Sequence, residues 1–163
     1  MKKKPNFIGK LNKREIFLLL DEARYYHNYS CEEDKAMKIC DKILEIYPNN
    51  RDAMLIKAGS LGSLDKEKES FELITKIINK WPNHWEAHYL LGLALFNINE
   101  KKALRYLKKS ISLKKTFDNT ITAAQLTYFL EDNDYKKYLE YAKDIDSSRY
   151  KKYMKNYWEW EIY

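Results

Sequence analysis

His84 and His88 stand four residues apart with Glu86 between them, a spacing that sets two imidazoles on one helical face, as a divalent metal would need. Glu86 points away from that face and His88 falls at a packing place near the start of its segment. The pair therefore reads as two histidines and not as a metal centre. Cys31 and Cys40 lack Cys-x-x-Cys spacing, and Cys40 lies on an apolar stripe, so it reads as a small core residue. The carboxylates Glu32, Glu33 and Asp34 sit together at the start of a predicted helix, where the macrodipole accounts for them. There is no glycine loop for a phosphate and no nucleophile placed beside a base. The expectation is no catalytic residue, no metal and no cofactor.

One cluster could do binding chemistry. Lys101, Lys102, Arg105, Lys108, Lys109, Lys114 and Lys115 fall within seventeen residues that contain no acid. Lys101, Arg105 and Lys108 share a helical face, and Tyr106 beside them could stack on a base. Such a face can contact phosphates or an acidic partner. The competing reading is a solvated outer helix face, which is commonly charged.

The elements that must carry these residues are helices. Asn12-x-x-Glu15, Ser30-x-x-Glu33 and Asn83-x-x-Glu86 each place a capping residue three before a Glu. Further caps are expected at Asn49 or Asn50, Asp65, Asn99, Asp118, Asp134 and Ser147. Apolar residues between them recur at i, i+3, i+4 and i+7, as Ala36, Ile39, Cys40, Ile43 and Leu44 do. The spacing predicts helices near 13–29, 31–47, 51–63, 66–81, 84–97, 100–115, 119–131, 135–145 and 148–160. No stretch alternates with period two, so no sheet is expected.

Composition agrees. The chain has 163 residues, 45% hydrophobic and 33% charged, which excludes a disordered chain, and its four glycines and three prolines are too few for an all-β fold. The apolar run Ile16–Leu20 is too short for a secretory core or a membrane span. Two cysteines make no disulfide framework. The expectation is a cytoplasmic protein with no membrane contact. The net charge of +6 favours weak attraction to acidic partners without naming one.

The helices repeat. Pro48 and Pro82 are 34 residues apart, and Lys42, Ile43, Tyr47, Asn49, Ala53 and Leu61 align with Lys76, Ile77, Trp81, Asn83, Ala87 and Leu95. At an offset of 33, Ser70, Ile74 and Ile78 align with Ala103, Leu107 and Ile111. A period of this length in a helical chain marks a solenoid of hairpins that must stack to bury their apolar faces.

On these residues the chain resembles the tetratricopeptide repeat (TPR) family. Its third unit matches best, with Leu91-Gly92, Leu95, Ala103, Leu107 and Ser110; the first gives Ala23, Ala36 and Pro48, and the second Met54, Ala58, Leu61, Ile74 and Pro82. Ile43 and Ile77 are larger than the family's usual residue at their place. The resemblance implies an all-α, right-handed superhelical solenoid of three to four TPR-like hairpins, with units near 13–50, 51–84, 85–117 and 118–146. A flexible basic stretch 1–11 is expected before them. A C-terminal capping helix with an aromatic tail, 147–163, is expected after them.

The resemblance also implies a concave groove lined by the first helix of each hairpin. Carried over, that face holds Asp21, Tyr25 and Tyr29, then Asp52, Leu55, Gly59 and Gly62. It continues with Glu86, Tyr89, Leu93, Phe96 and Asn97, then Thr122, Leu126, Phe129 and Leu130. The strip suits a helical or extended segment of a protein partner, and the implied role is an adaptor or chaperone. The family's carboxylate clamp for acidic chaperone C-termini wants Lys, Asn and Arg at places held here by Asp21, Tyr25, Ile56, Glu86 and Leu90. Acidic C-terminal peptides should therefore not bind. A nucleic-acid module using helix 101–115 is the alternative. The tail Tyr157–Tyr163 is expected either to cap the stack or to dock in a groove, which would give self-association.

Overall fold

The computed structural model describes residues 11–157; the basic residues at 2–4 and the aromatic tail 158–163 lie outside the described residues. Nine α-helices occupy almost all of that span, with no strand among the described residues. They are α1 (Lys13–Tyr25), α2 (Glu33–Ile46), α3 (Arg51–Ser63), α4 (Glu67–Lys80), α5 (Trp85–Ala94), α6 (Glu100–Leu113), α7 (Phe117–Phe129), α8 (Asp134–Ile145) and α9 (Ser147–Tyr157). A π-helical turn, Tyr26–Ser30, extends α1. Compact packing divides the chain into two units, one ending at Ile77 and the other beginning at Ile78.

Caps written in the sequence set several of the helix starts. Asn12 accepts from the amides of Arg14 and Glu15, while Glu15 accepts from the Asn12 amide at 2.7 Å. Asn50 and Asn99 accept from the amides of Ala53 and Lys102, each at 3.0 Å. Several expected caps are corrected: Asp134 and Ser147 are the first residues of α8 and α9 and not their caps, and the Arg149 amide donates to Asp146 at 2.9 Å. Ser30 lies in the π turn and does not cap α2, whose N-cap is Glu32 without a side-chain bond. His84, not Asn83, precedes α5, also without one. At α7 the cap lies two residues earlier than expected, because Thr116 and Asn119 exchange side-chain and amide bonds at 2.9 and 3.3 Å.

Helix ends follow a second rule. At α3 the Lys66 amide reaches back to the Leu61 carbonyl, and at α7 the Asp132 amide to the Thr127 carbonyl. Both ends place a left-handed residue in the turn, Asp65 at φ 55° and Glu131 at φ 56°. These turns lead the chain into the next helix without glycine.

In the unit ending at Ile77, α2 packs between α1 and α3. Ala23, Ala36, Cys40, Ile43 and Ala53 are fully buried between them, with Leu20 and Ile56 at the margin. The large Ile43 is fully buried in a cluster that also holds the small Ala23, Ala36, Cys40 and Ala53, so close packing is kept while one position grows. In the other unit α5 packs on α6, α6 on α7, α7 on α8 and α8 on α9. Its core is built on Ala103, Leu107, Ala123, Ala124, Leu126 and Ala142, all fully buried. Tyr150, Tyr153 and Met154 of α9 lie half-buried against it. Gly92 lets α5 and α6 approach, since a β-carbon there would stand 2.8 Å from two carbons of Leu107.

Candidate functional site

The helix faces sort the predicted groove residues into two kinds. Tyr25 and Tyr29 are 58% and 78% exposed, and their rings lie 6.1 Å apart between centroids. Phe129 at the end of α7 is 72% exposed, and Leu93 on α5 is also exposed. Leu55 and Leu126 are corrections. They are 3% and 0% exposed, because α3 and α7 are enclosed on nearly every side by neighbouring helices, and both residues belong to the core. Tyr89 and Phe96 are intermediate, half-buried against the core of their unit. The Tyr89 hydroxyl bonds the Thr122 side chain, and burial raises its pKa above the ordinary tyrosine value.

What presents Tyr25 and Tyr29 was not legible as a motif. His27 points inward from the π turn, and its Nδ1–H donates to Glu33 Oε2 at 2.8 Å, with the Ser60 hydroxyl 3.3 Å from the same nitrogen. Glu33 and Ser60 are buried, so three polar groups from the turn, α2 and α3 satisfy one another away from water. Gly59 makes the approach feasible, since a β-carbon there would lie 2.8 Å from the imidazole. The ring pair is therefore held on a pinned turn. Asp21 and Glu22 are exposed on α1, while Asp52 pairs with Arg24 at 3.3 Å.

The second buried polar network lies in the other unit. Asn119 is fully buried; its amide nitrogen donates to Ser110 Oγ at 3.0 Å and to the Lys114 carbonyl at 2.8 Å. It is structural: it ties the end of α6 to the start of α7. Only its position three after Thr116 hinted at that role.

The histidine pair does not converge on a metal. His88 is buried, its Nε2–H donates to the Pro82 carbonyl at 2.7 Å, and its ring stacks on Tyr106 with centroids 6.0 Å apart. Tyr106 is thereby engaged in packing and is not held ready for a base. Cys40 is buried and its thiol is pushed up to about 12 by desolvation, which leaves it inert. Cys31 is exposed.

The basic helix is partly spoken for. Lys108 pairs with Asp134 at 3.3 Å, Lys114 lies over the Trp85 ring and Lys115 over Tyr141, 5.0 and 3.9 Å from the centroids. Lys101, Lys102, Arg105 and Lys109 are exposed on α6. An open cavity of about 410 Å³ is lined by Ile16, Ile46, Tyr47, Pro48, Asn49 and Asn50, and holds none of the predicted groove residues. No helix among the described residues is long and apolar enough to cross a membrane.

No protein-family model matches the chain. Over 93 residues, 56% of this chain, the sequence is 27% identical to the cell division cycle protein 16 homolog of Mus musculus. The human homolog matches to the same extent. The stretch is 15% of that protein, so the chain spans a small part of the relatives it matches. Among solved structures, a thermophilic TPR protein of Thermus thermophilus is similar with a TM-score of 0.71 at 14% identity, over 81% of this chain and 75% of that one. YrrB, a TPR protein with an unusual peptide-binding site, gives 0.60 at 17% identity over 86% and 74%. MamA from Desulfovibrio magneticus RS-1 gives 0.59 at 20% identity over 82% and 75%.

Proposed function

We propose, from the tetratricopeptide-repeat fold that this chain adopts, that it is a non-catalytic protein-interaction adaptor of the cytoplasm, in the manner of a chaperone or scaffold. It holds a helical or extended segment of a protein partner on its exposed aromatic faces. The observation that carries this reading is the pinned Tyr25–Tyr29 pair, large rings kept in water by a buried hydrogen-bond network at their base. Aromatic anchors on a rigid support are what concentrates binding energy at protein contacts. Leu93 and Phe129 supply the equivalent anchors in the other unit. Phe96 and Tyr89 back them from half-buried positions. The fold similarity to a protein with a peptide-binding site supports the class of partner. Acidic C-terminal peptides remain excluded by Asp21 and Glu86 at the clamp places.

A second reading, nucleic acid on α6, rests on the exposed cations Lys101, Lys102, Arg105 and Lys109. It is the weaker of the two because Lys108 and Tyr106 have intramolecular partners. Affinity capture from host lysate with and without nuclease tests both. A protein retained through nuclease treatment and lost in a Tyr29→Ala/Phe129→Ala variant is the expected result. Recovery of nuclease-sensitive material alone, unchanged by that variant, would replace the adaptor reading with the second one.

A further inference from the structure

The two terminal helices of the described chain present opposite chemistry on faces that no other described element covers. On α1 the buried residues are Leu20 and Ala23, on one side only. The opposite side carries Arg14, Phe17, Leu18, Asp21, Glu22 and Tyr25, which share one helical face. Phe17 and Leu18 are 63% and 55% exposed, and Asp21 and Glu22 pair with no cation among the described residues. A helix face that stays in water is expected to be polar. This one sets Phe17, Leu18 and Tyr25 in water beside a carboxylate pair, with Arg14 the single base on it near the helix start, the composition of a contact surface.

On α9, the face opposite Tyr150, Tyr153 and Met154 carries Lys151, Lys152 and Lys155, all exposed. The helix Ser147–Tyr157 holds four cations and no carboxylate. None of the three lysines pairs with an acid among the described residues. The asymmetry extends beyond these helices. Residues 11–77 hold 13 acids against 11 bases, whereas residues 78–157 hold 9 acids against 15 bases.

We infer that the occupant of the α1 face is the α9 face of a second copy of this chain. Asp21 and Glu22 meet Lys151, Lys152 and Lys155, while the lysine stems cover Phe17 and Leu18. Tyr25 receives an ammonium over its ring, a contact the chain already makes within itself where Lys35 lies over Tyr26 and Lys115 over Tyr141. Because the two surfaces differ, the contact is head-to-tail, and copies add to a ring or an open row instead of stopping at a symmetric pair. This goes beyond the adaptor reading and does not depend on it, although both contacts use Tyr25, so a second copy and a partner segment compete for that ring.

Sedimentation equilibrium of the full chain tests it. At low salt the average mass rises with concentration and passes that of a dimer; at about 1 M salt, where charges are screened beyond about 3 Å, it falls toward the monomer. Asp21→Lys/Glu22→Lys and Lys151→Glu/Lys152→Glu/Lys155→Glu each weaken association by about tenfold or more, and an equimolar mixture of the two variants restores it. Phe17→Ser/Leu18→Ser weakens it without altering any charge. Unfolding midpoints matching the parent confirm that each variant is folded. A monomer at every concentration and salt, association indifferent to both charge reversals, or no recovery on mixing would each overturn the inference.

Discussion

Gly92→Ala is the substitution for which helix propensity and packing give opposite answers. In an exposed helix interior the change would stabilise by about 0.8–1.0 kcal/mol, because glycine carries the larger backbone entropy. Here the new β-carbon would stand 2.8 Å from both Cγ and Cδ2 of Leu107 and 3.4 Å from the Ala103 carbonyl oxygen. That is about 0.7–1.2 Å inside the optimal carbon–carbon separation. Leu107 cannot swing aside, since it is fully buried within the core of its unit. Overpacking of this kind costs about 1–3 kcal/mol. The packing term therefore wins, and a net loss of about 1 kcal/mol is expected, equal to about 2–4 °C in a chain of this size. Urea unfolding followed by circular dichroism reads it, with Leu107→Ala as the second arm of a double-mutant cycle. Leu107→Ala alone should cost about 2–5 kcal/mol. On that background there is room for the methyl group, so Gly92→Ala should become stabilising. A Gly92→Ala protein as stable as its parent, or an equal loss in both backgrounds, would refute the close approach of α5 and α6.

Glu131→Gly should stabilise the chain by about 1 kcal/mol, because a side chain at φ 56° bears a left-handed strain that glycine does not; thermal unfolding measures it. Asn119→Ala should cost about 2–4 kcal/mol in denaturant unfolding, since it strands the Lys114 carbonyl, Ser110 Oγ and the Thr116 amide in a buried site. Cys40 is neutral in the fold, its pKa raised from 9.0 to about 12, so its contribution is whole below pH 9 and is lost as pH rises toward 12. The stability difference between parent and Cys40→Ala should accordingly shrink with pH over that window, by at most about 1.4 kcal/mol per unit, and a flat difference would contradict it. In the folded protein, thiol alkylation should mark Cys31 and spare Cys40.

The all-helical hairpin pattern was readable because each segment buries one stripe and because caps such as Asn12, Asn50 and Asn99 are local in sequence. Residues 51–63 were bounded as the structure has them for that reason. The π turn was not readable. It exists because His27 reaches a carboxylate and a hydroxyl supplied by two other helices, and no local pattern encodes Ser60 as its neighbour. The same limit explains Leu55 and Leu126. Periodicity places a residue on a face, but whether a neighbouring helix covers that face is decided by packing between segments. Small residues at Ala53, Ala123 and Ala124 let α3 and α7 sink so deeply that positions expected at the surface became core. Asn119 was hidden for the opposite reason, as a polar residue in a polar stretch whose burial only the α6–α7 connection reveals.

Affinity measured on the captured partner itself decides whether exposed aromatic side chains on this scaffold hold it. Tyr29→Ala/Phe129→Ala and Lys101→Ala/Lys102→Ala variants, each with an unfolding midpoint equal to the parent's, would be titrated with that partner by calorimetry. A loss of about 2 kcal/mol or more, roughly 30-fold in Kd, is expected for the aromatic variant, with little change for the lysine variant. Unchanged affinity in the aromatic variant beside a large loss in the lysine variant would contradict it.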